Sequence, residues 1–296
     1  MSRACPLCGG PSERLFETHG YWVSACAECC HRFTEVEHGP DHVERTYGDD
    51  YFHGGGAGYP DYLAEGAILR AHGRRYGELL TRFLPAGSLL DVGSAAGFLL
   101  AGFNEAGLRG RGIEPNASMA AYAREKLGLC VFTGTLEEYP GDLRFDVLSL
   151  IQVLAHFVDP VRALERAASL TKANGYWLIE TWNRESWTAR LAGRRWHEYS
   201  PPSVLHWFTP ESVQQLAARF GFLEVARGRP SKKLSSSHAK SLLEYKLGSG
   251  AAGKFLGAAW KLLPDRLSLP YPSEDLFWVL FRKADPNTDF ASSGLK

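Results

Sequence analysis

The sequence predicts an α/β protein built on a doubly wound parallel sheet, with a small cysteine-rich ribbon at its N-terminus. Apolar runs of strand length alternate with helical patterns from residue 88 to residue 181. The first of these strands leads into a glycine-containing turn, and the second ends in an acid. Five of the six cysteines fall within the first 30 residues. Because alternating strands and helices build parallel sheets, these observations indicate an open α/β fold with an N-terminal attachment.

The unit that begins the sheet lies at residues 88–115. A buried strand that contains Asp91 is followed by Gly93-Ser94-Ala95-Ala96-Gly97, a helix, and a second strand that ends at Glu114. Gly93 has no Cβ, so the backbone there can lie close to a ligand. Glu114, at the tip of its strand, can accept hydrogen bonds from both hydroxyls of a ribose. The unit therefore predicts a nucleoside cofactor at the carboxyl edge of the sheet; a generic nucleotide-binding βαβ unit is the alternative.

The turn reads D-x-G-x-x-x-G and differs from G-x-G-x-x-G, which serves a pyrophosphate. It resembles the first motif of the class I S-adenosylmethionine-dependent methyltransferases, whose cofactor carries a cationic amino group that suits Asp91. The resemblance covers residues 60–228 and 275–283, and it implies a Rossmann-like sheet of seven strands whose last is antiparallel. It places the cofactor contacts at Asp91, Gly93, Ser94, Gly97, Glu114, Pro115, Thr135, Leu136 and Gln152.

Local signals delimit the other elements of the sheet domain. Residues 61–84 show helical spacing, and the predicted buried face consists of Leu63, Ala67, Ala71, Tyr76, Leu80 and Phe83. Asn116 is expected to cap a helix that Gly128 ends. Asp159-Pro160 is expected to open another helix. Asn174-Gly175 predicts a turn before the strand at residues 176–181.

The cysteines at the N-terminus predict a zinc site. Cys5, Cys8, Cys26 and Cys29 form two C-x2-C pairs that are separated by 17 residues. Four thiolates close a tetrahedral structural site, so the neighbouring Cys30 and His31 are left out of the ligand set. Residues 1–36 are therefore interpreted as a zinc ribbon that folds only with its metal. Disulfides in a secreted protein are the alternative, which the lack of an apolar signal region disfavours.

Charge narrows the classes of partner. The formal net charge is zero, and the first 50 residues carry nine acids against four arginines, which disfavours nucleic acid. No apolar run has the length of a membrane span, so a cytoplasmic protein is expected. One segment differs, because residues 227–261 carry eight Lys or Arg against one acid. Residues 227–263, which include an apolar stripe, suit a peripheral membrane contact or a phosphorylated acceptor. A solvated face is the alternative.

Two histidines are candidates for the base that deprotonates an acceptor. His156 follows the fourth strand in a segment that resembles ubiquinone-pathway O-methyltransferases, where two glutamates before the histidine hold a divalent metal. Those positions are Gln152 and Ala155 here, so no catalytic metal is expected. His206 lies in the aromatic-rich segment 196–210, whose length is typical of a lid. Each histidine also has a structural interpretation: His156 as a helix-start residue, and His206 as a residue that orients the loop.

The predicted organisation is a ribbon at residues 1–36, a linker at 37–60, a methyltransferase domain at 61–283 with a basic insertion at about 229–270, and a tail at 284–296. The aromatic residues at 47–52 either cover the cofactor or pack the ribbon on the domain. The layout resembles bacterial sugar C-methyltransferases, but their Glu-His pair falls on Ser203 and Val204 here. We expect methyl transfer to a small molecule or a glycan, including a nucleotide- or lipid-linked sugar. The alternatives are an RNA methyltransferase and a catalytically silent cofactor-binding scaffold.

Overall fold

The computed structural model describes residues 3–36, 42–53, 61–231, 233–235, 268–270 and 273–285. The strands are β1 (Ser12–Thr18), β2 (Tyr21–Cys26), β3 (Arg32–Thr34), β4 (Ser88–Val92), β5 (Arg109–Glu114), β6 (Val131–Thr133), β7 (Phe145–Ile151), β8 (Thr171–Trp182), β9 (His206–Trp207), β10 (Phe222–Gly228), β11 (Lys233–Ser235), β12 (Ser268–Pro270) and β13 (Leu276–Lys283). The α-helices are α1 (His42–Thr46), α2 (Asp49–His53), α3 (Gly66–Leu80), α4 (Phe98–Glu105), α5 (Ala117–Leu127), α6 (Pro160–Leu170), α7 (Trp187–Ala192) and α8 (Pro210–Ala218). Short 3-10 turns lie at Leu63–Glu65, Leu154–His156, Gly193–Arg195 and Ser273–Asp275.

Seven strands form the large sheet, in the order β10-β13-β8-β7-β4-β5-β6. The strands from β8 to β6 in that order are parallel to their neighbours, whereas β13 is antiparallel to both β8 and β10. The predicted doubly wound sheet with an antiparallel last strand is confirmed. The chain changes direction across the sheet at β4, so the carboxyl ends of β4, β5, β7 and β8 meet at the edge where such sheets bind ligands.

Alternate residues of the central strands enter two apolar cores, one on each face of the large sheet. Leu90 and Leu148 pack towards residues of α6 and α8, whereas Leu89 and Val147 pack towards residues of α3 and α4. All four side chains are fully buried. This alternation follows from the period-2 geometry of a strand, and it explains why these strands read as continuous apolar runs.

Side-chain caps set the helix boundaries beside the carboxyl edge. Oδ1 of Asn116 accepts a hydrogen bond from the Met119 amide at 2.8 Å, and Gly128 ends the helix with a left-handed φ of 67°. Oδ1 of Asp159 accepts from the amides of Val161 and Arg162 at the start of α6. The predicted bounds of both helices are confirmed, because the signals that set them are local.

The turn predicted at Asn174-Gly175 is wrong, since both residues lie inside β8. Phe145 pairs with Thr171, but Val147 pairs with Tyr176, so β8 carries three extra residues against β7. Asn174 adopts a φ of 60° there. A bulge uses the same left-handed residue as a turn, so the local signal does not distinguish the two.

The predicted buried face of the first helix is confirmed only at Tyr76 and Leu80. α3 also buries His72, Gly73 and Gly77, whereas Ala67 is exposed. A Cβ on Gly73 would lie 2.1 Å from the carbonyl oxygen of Leu99 in α4. The two helices therefore pack backbone against backbone, and this contact selects glycine over the alanines that hydrophobic periodicity favours.

A second sheet joins the ribbon to the main domain. Its strand order is β1-β2-β3-β9, and β9 comes from the segment between β8 and α8. Phe33 pairs with His206, and the amide of Thr34 donates to the carbonyl of Leu205 at 2.8 Å. Trp196, Tyr199 and Trp207 are buried in a cluster with Val23 of the ribbon. Most of the segment interpreted as a lid, residues 196–210, thus packs against the ribbon. We call this segment the ribbon seat.

The predicted linker contains α1 and α2, and its aromatic residues contact both of the expected regions. Phe52 packs with Ala95 and Ala96 of the glycine turn. The hydroxyl of Tyr47 donates to the carbonyl of Ser203 at 2.6 Å, which ties α1 to the segment that carries β9. The two helices therefore lie over the carboxyl edge between the glycine turn and the ribbon seat.

Several expectations concern parts of the chain that fall outside the described residues. These are most of the basic insertion, including its apolar stripe at residues 255–263, and most of the tail. Arg227, at the start of the basic segment, is paired with Glu224. Within the described ranges, no helix is both long and apolar enough to cross a membrane. The domain boundaries and the membrane contact stay predictions.

Candidate active site

The turn after β4 requires glycine for conformation and for packing. Gly93 and Gly97 have φ values of 69° and 81°, which L side chains rarely adopt. A Cβ on Gly93 would lie 2.4 Å from Cγ1 of Val153, which follows β7, so the space beside Gly93 is taken by this side chain. The turn therefore holds the ends of β4 and β7 in contact at the carboxyl edge. The close approach of a ligand to Gly93 stays a prediction.

Asp91 is a buried acid with one oxygen engaged and one orphaned. Its Oδ1 accepts a hydrogen bond from the Ser149 hydroxyl at 2.5 Å, whereas Oδ2 has no partner among the described residues. The hydroxyl of Ser94 is likewise buried and unpartnered there. Burial raises the pKa of Asp91 to about 7; the Ser149 hydrogen bond opposes this shift and Glu114 adds to it. An unsatisfied carboxylate oxygen beside the turn suits a cationic group of a ligand.

Glu114 ends β5 with its carboxylate oriented by backbone amides. Oε2 accepts from the Ala95 amide at 2.7 Å, and Oε1 accepts from the Asn116 amide at 2.8 Å. Burial raises the pKa of Glu114 to about 7, and the two amides partly offset it. Each oxygen has a further lone pair, so both can accept from the vicinal hydroxyls of a ribose. Asp91, the glycine turn and Glu114 together fit S-adenosylmethionine.

The remaining predicted cofactor residues line the same edge. Pro115 and Thr135 are half-buried beyond β5 and β6, and Leu136 is buried beside them. Gln152 follows β7 with a φ of 60°. The structure therefore brings the nine predicted residues to one edge of the sheet. Their contact with a cofactor stays a prediction.

A buried polar cluster behind Gln152 escaped the sequence analysis. Glu180 of β8 is fully buried; its Oε1 accepts from Nε2 of Gln152 at 2.7 Å, and its Oε2 accepts from the Tyr76 hydroxyl. Nε2 of His72 lies 3.3 Å from the same Oε2. The cluster anchors the left-handed Gln152 to α3. A lone acid within an apolar strand indicates that the acid has a buried polar partner. The sequence does not identify the residues that act as that partner.

His156 lies beside the cofactor edge. Its Nδ1 contacts the carbonyl of Ser203 at 2.6 Å, and the ring of Tyr47 meets its ring edge to face at 5.6 Å. Burial lowers the pKa of His156, while the Ser203 carbonyl and the Glu198 carboxylate act in the opposite direction. These contacts orient the ring between α1 and the ribbon seat. The catalytic role of His156 stays a prediction.

His206 lies in the interface between the ribbon and the main domain. Its Nδ1 is 3.1 Å from Nε2 of His31, and its Nε2 is 2.9 Å from the carbonyl oxygen of Phe157. The side chain is buried, and both ring nitrogens are engaged. This geometry favours the loop-orienting interpretation over the catalytic one. The base assignment of His206 stays a prediction without support from its position.

The four predicted zinc ligands converge in the ribbon. The Sγ atoms of Cys5, Cys8, Cys26 and Cys29 all lie within 4.8 Å of one another. Nearest-neighbour Sγ distances are 3.4–3.6 Å, close to the roughly 3.8 Å that a tetrahedral zinc–thiolate site requires. Burial raises the pKa of the Cys26 thiol, but the amides of Cys29 and Glu28 and the thiols of Cys8 and Cys29 together lower it to about 7. This donor set fits zinc.

Comparison with known proteins agrees with the fold and the edge. Residues 68–226 match the methyltransferase domain family. The ubiquinone biosynthesis O-methyltransferase of Rhodopseudomonas palustris (strain HaA2) is 30% identical over 146 residues, which are 46% of this chain and 58% of that protein. The Nitrobacter winogradskyi enzyme of the same name is 33% identical over 132 residues, 43% of this chain and 48% of that protein. The chain thus spans about half the length of the curated relatives it matches.

A solved structure shows the same fold at low identity. The 1,6-didemethyltoxoflavin-N1-methyltransferase of Burkholderia thailandensis, which contains S-adenosylhomocysteine, has a TM-score of 0.52 and 15% identity. The similarity covers 92% of this chain and 100% of that one. More than half of this chain matches the family model. The seven-stranded sheet, with its glycine turn and two edge acids, has the same fold as that solved methyltransferase. The chain belongs to the methyltransferase domain family.

Proposed function

We propose that the protein transfers a methyl group from S-adenosylmethionine to a hydroxyl of a small-molecule acceptor. The observation that carries this proposal is the pair of buried acids at the ends of adjacent strands. Asp91 offers an orphaned oxygen to an ammonium group, and Glu114 offers two oriented oxygens to a ribose. Family membership supports the reaction type, and the printed names of the curated relatives support oxygen as the acceptor atom.

The chain's own part in the reaction is binding and alignment. S-adenosylmethionine supplies an electrophilic methyl group on a sulfonium, so the leaving group needs no acid. Asp91 and Glu114 hold the two polar ends of the cofactor. The acceptor then lies beyond the carboxyl ends of β7 and β8, next to the edge of the sheet that carries Asp91 and Glu114. In-line displacement gains most of its rate from this positioning.

We also propose that Cys5, Cys8, Cys26 and Cys29 hold one structural zinc ion. The four sulfurs support it through their mutual distances, and the amides that point at Cys26 support a thiolate there. The metal would tie the segment before β1 to the end of β2 and to the segment before β3. It has no direct part in methyl transfer.

The test combines cofactor binding with transfer of a labelled methyl group. Calorimetry with S-adenosylmethionine and S-adenosylhomocysteine measures binding, and a panel of phenols, nucleotide-linked sugars and RNA serves as acceptors. Binding together with transfer to a small-molecule hydroxyl is the expected result. Transfer to RNA would support the RNA enzyme instead, and binding without transfer to any acceptor would support the silent scaffold. Absence of cofactor binding would contradict the proposal altogether.

A further inference from the structure

Three ionisable side chains without an assigned role meet beyond the carboxyl end of β8. Nε2 of His197 lies 3.1 Å from Oε1 of Glu198 and 3.9 Å from Oδ2 of Asp275. The side chains of His197 and Glu198 are 17% and 12% exposed, whereas that of Asp275 is 2% exposed. The histidine and the glutamate are thus shielded from bulk water and still accessible to a ligand, with a buried acid behind them.

The surroundings fix the orientation of this cluster. Oδ2 of Asp275 accepts from Nε1 of Trp196 at 3.1 Å, and the backbone carbonyl of Asp275 accepts from the Asn183 amide at 2.7 Å. The carbonyl of Glu198 accepts from Nε1 of Trp207 at 2.7 Å, which ties the residue to β9. Each partner belongs to a different part of the chain, so the cluster is held by tertiary contacts.

The geometry favours one tautomer of His197. Nε2 is the nitrogen that faces the carboxylates of Glu198 and Asp275, and an ionised carboxylate can only accept a proton's hydrogen bond. The tautomer with its proton on Nε2 suits these neighbours, and it leaves Nδ1 as an acceptor. Within the described residues, Nδ1 has no hydrogen-bond partner. A histidine with one nitrogen next to two carboxylates and the other open has the arrangement of a general base.

Aromatic rings form the walls next to this base. The rings of Trp182 and Trp196 meet the His197 ring edge to face, at 5.3 Å and 6.1 Å between ring centroids. The Glu198 charge also acts on His156, where burial lowers the pKa of that histidine and the charge raises it. Flat apolar walls and one base suit a planar ring that bears a hydroxyl.

We propose that His197, aligned by Glu198 and Asp275, is the general base that removes the proton of an aromatic hydroxyl acceptor. The inference rests on the proposed function and names its base and acceptor class. The hydroxyl proton passes to Nδ1, and an oxygen electron pair forms the bond to the methyl carbon. The carbon–sulfur pair leaves with sulfur, so the sulfonium becomes a neutral thioether. Glu198 and Asp275 balance the imidazolium until its proton passes to water.

The first experiment tests the alignment and needs no acceptor. Nitrogen-15 NMR of the full-length protein with bound S-adenosylhomocysteine should show a downfield Nε2 proton for His197 that exchanges slowly with water. His197→Gln assigns the signal by removing it. Glu198→Ala should broaden it into the water exchange regime, whereas His19→Asn, a change at an exposed histidine, should leave it intact. A signal that is unchanged by Glu198→Ala would overturn the alignment.

The second experiment distinguishes a base from a structural residue. Methyl transfer is measured with catechol and with 4-nitrocatechol, which ionises far more readily and so needs less help from a base. His197→Gln should lower turnover roughly 10²–10⁴-fold with catechol and much less with 4-nitrocatechol. Affinity for S-adenosylhomocysteine should stay within a factor of about two of that of the parent.

Each contrary outcome has a separate meaning. Equal losses with the two catechols, or no loss, would overturn the role of His197. A parent protein that binds the cofactor and methylates neither catechol would overturn the aromatic hydroxyl acceptor. A parent that binds no cofactor would refute the proposed function itself, and this result is visible in the calorimetry before any variant is made.

Discussion

The two sheets of the molecule are assembled in opposite ways. The parallel strands of the large sheet come from successive strand–helix units, so each local signal predicts a neighbour. The ribbon sheet takes its fourth strand, β9, from a segment more than 170 residues away from β3. That segment also carries His197 and Glu198. The comparison shows that the ribbon is built into the domain next to the proposed acceptor site, although sequence alone makes it look like an attachment.

The largest expected effect follows removal of zinc, which should separate the two sheets. Chelation should abolish protection of β1–β3 and β9 in hydrogen exchange while the large sheet keeps its protection, because structural zinc in small ribbons contributes on the order of 10 kcal/mol. Elemental analysis should find one zinc per chain before treatment. Cys130→Ala, outside the ribbon, is the matched control and should retain the metal. Zinc-free protein with a protected ribbon would contradict both the metal and the comparison.

A smaller effect should follow truncation of the strand that the two regions share. Trp207 is 1% exposed and spans the interface, so Trp207→Ala should lower the free energy of unfolding by about 3–5 kcal/mol. Exchange protection should fall first in β3 and the ribbon. Trp22→Ala, on the outer side of β2, is the control and should cost much less, since that ring is 36% exposed. Urea denaturation of both variants measures the difference.

The large sheet has its own test, which depends on pH. Burial raises the pKa of Asp91 from 3.8 to about 7, so the folded protein retains a proton between these pH values that the unfolded chain has released. The stability of the cofactor-free protein should therefore fall as pH rises from about 4 to about 7, by at most about 4 kcal/mol from this group. Asp91→Asn should reduce the difference between pH 5 and pH 8 in urea denaturation, and the remaining fall is the part that the buried Glu114 contributes. Parallel profiles for the two proteins would contradict the buried charge.

The smallest expected effect concerns the cofactor alone. Glu114→Ala should weaken S-adenosylmethionine about 10–100-fold, because it removes charge-assisted hydrogen bonds worth roughly 1.5–3 kcal/mol. Zinc content and ribbon protection should not change, since Glu114 lies on the large sheet. Glu125→Ala, an exposed acid on α5, is the matched control for calorimetry. Unchanged affinity in a folded Glu114→Ala protein would refute the ribose assignment.

The comparison also explains which features the sequence predicted. Asn116, Gly128 and Asp159 act within a few residues of themselves, so their helix ends were predicted correctly. The buried face of α3 was predicted correctly only at Tyr76 and Leu80, because Gly73 is selected by the backbone of α4 and hydrophobic periodicity carries no record of that contact. The turn predicted at Asn174-Gly175 was wrong for a related reason, because pairing with β7 places the left-handed residue in a bulge.

The residues of the candidate site also divide into those that the sequence could predict and those that it could not. Asp91, the glycine turn and Glu114 follow one another in a single unit, and their spacing predicted their convergence. Glu180 meets Gln152 and Tyr76, and His197 meets Asp275, only after distant segments have packed. His206 showed the converse problem, because its aromatic surroundings suited a lid as well as an interface. Only the pairing of β9 with β3 distinguishes the two.

The shared strand has a consequence for the order in which the protein is made. The ribbon leaves the ribosome before the main domain, but β3 stays an open edge until residues 206 and 207 have been synthesised. At about 5–20 residues per second, the intervening chain takes on the order of ten seconds or more. During that interval the nascent ribbon presents unpaired backbone groups and Phe33 to other chains. Early metal loading can fold the cysteine loops, but protection of this edge must wait for the second half of translation.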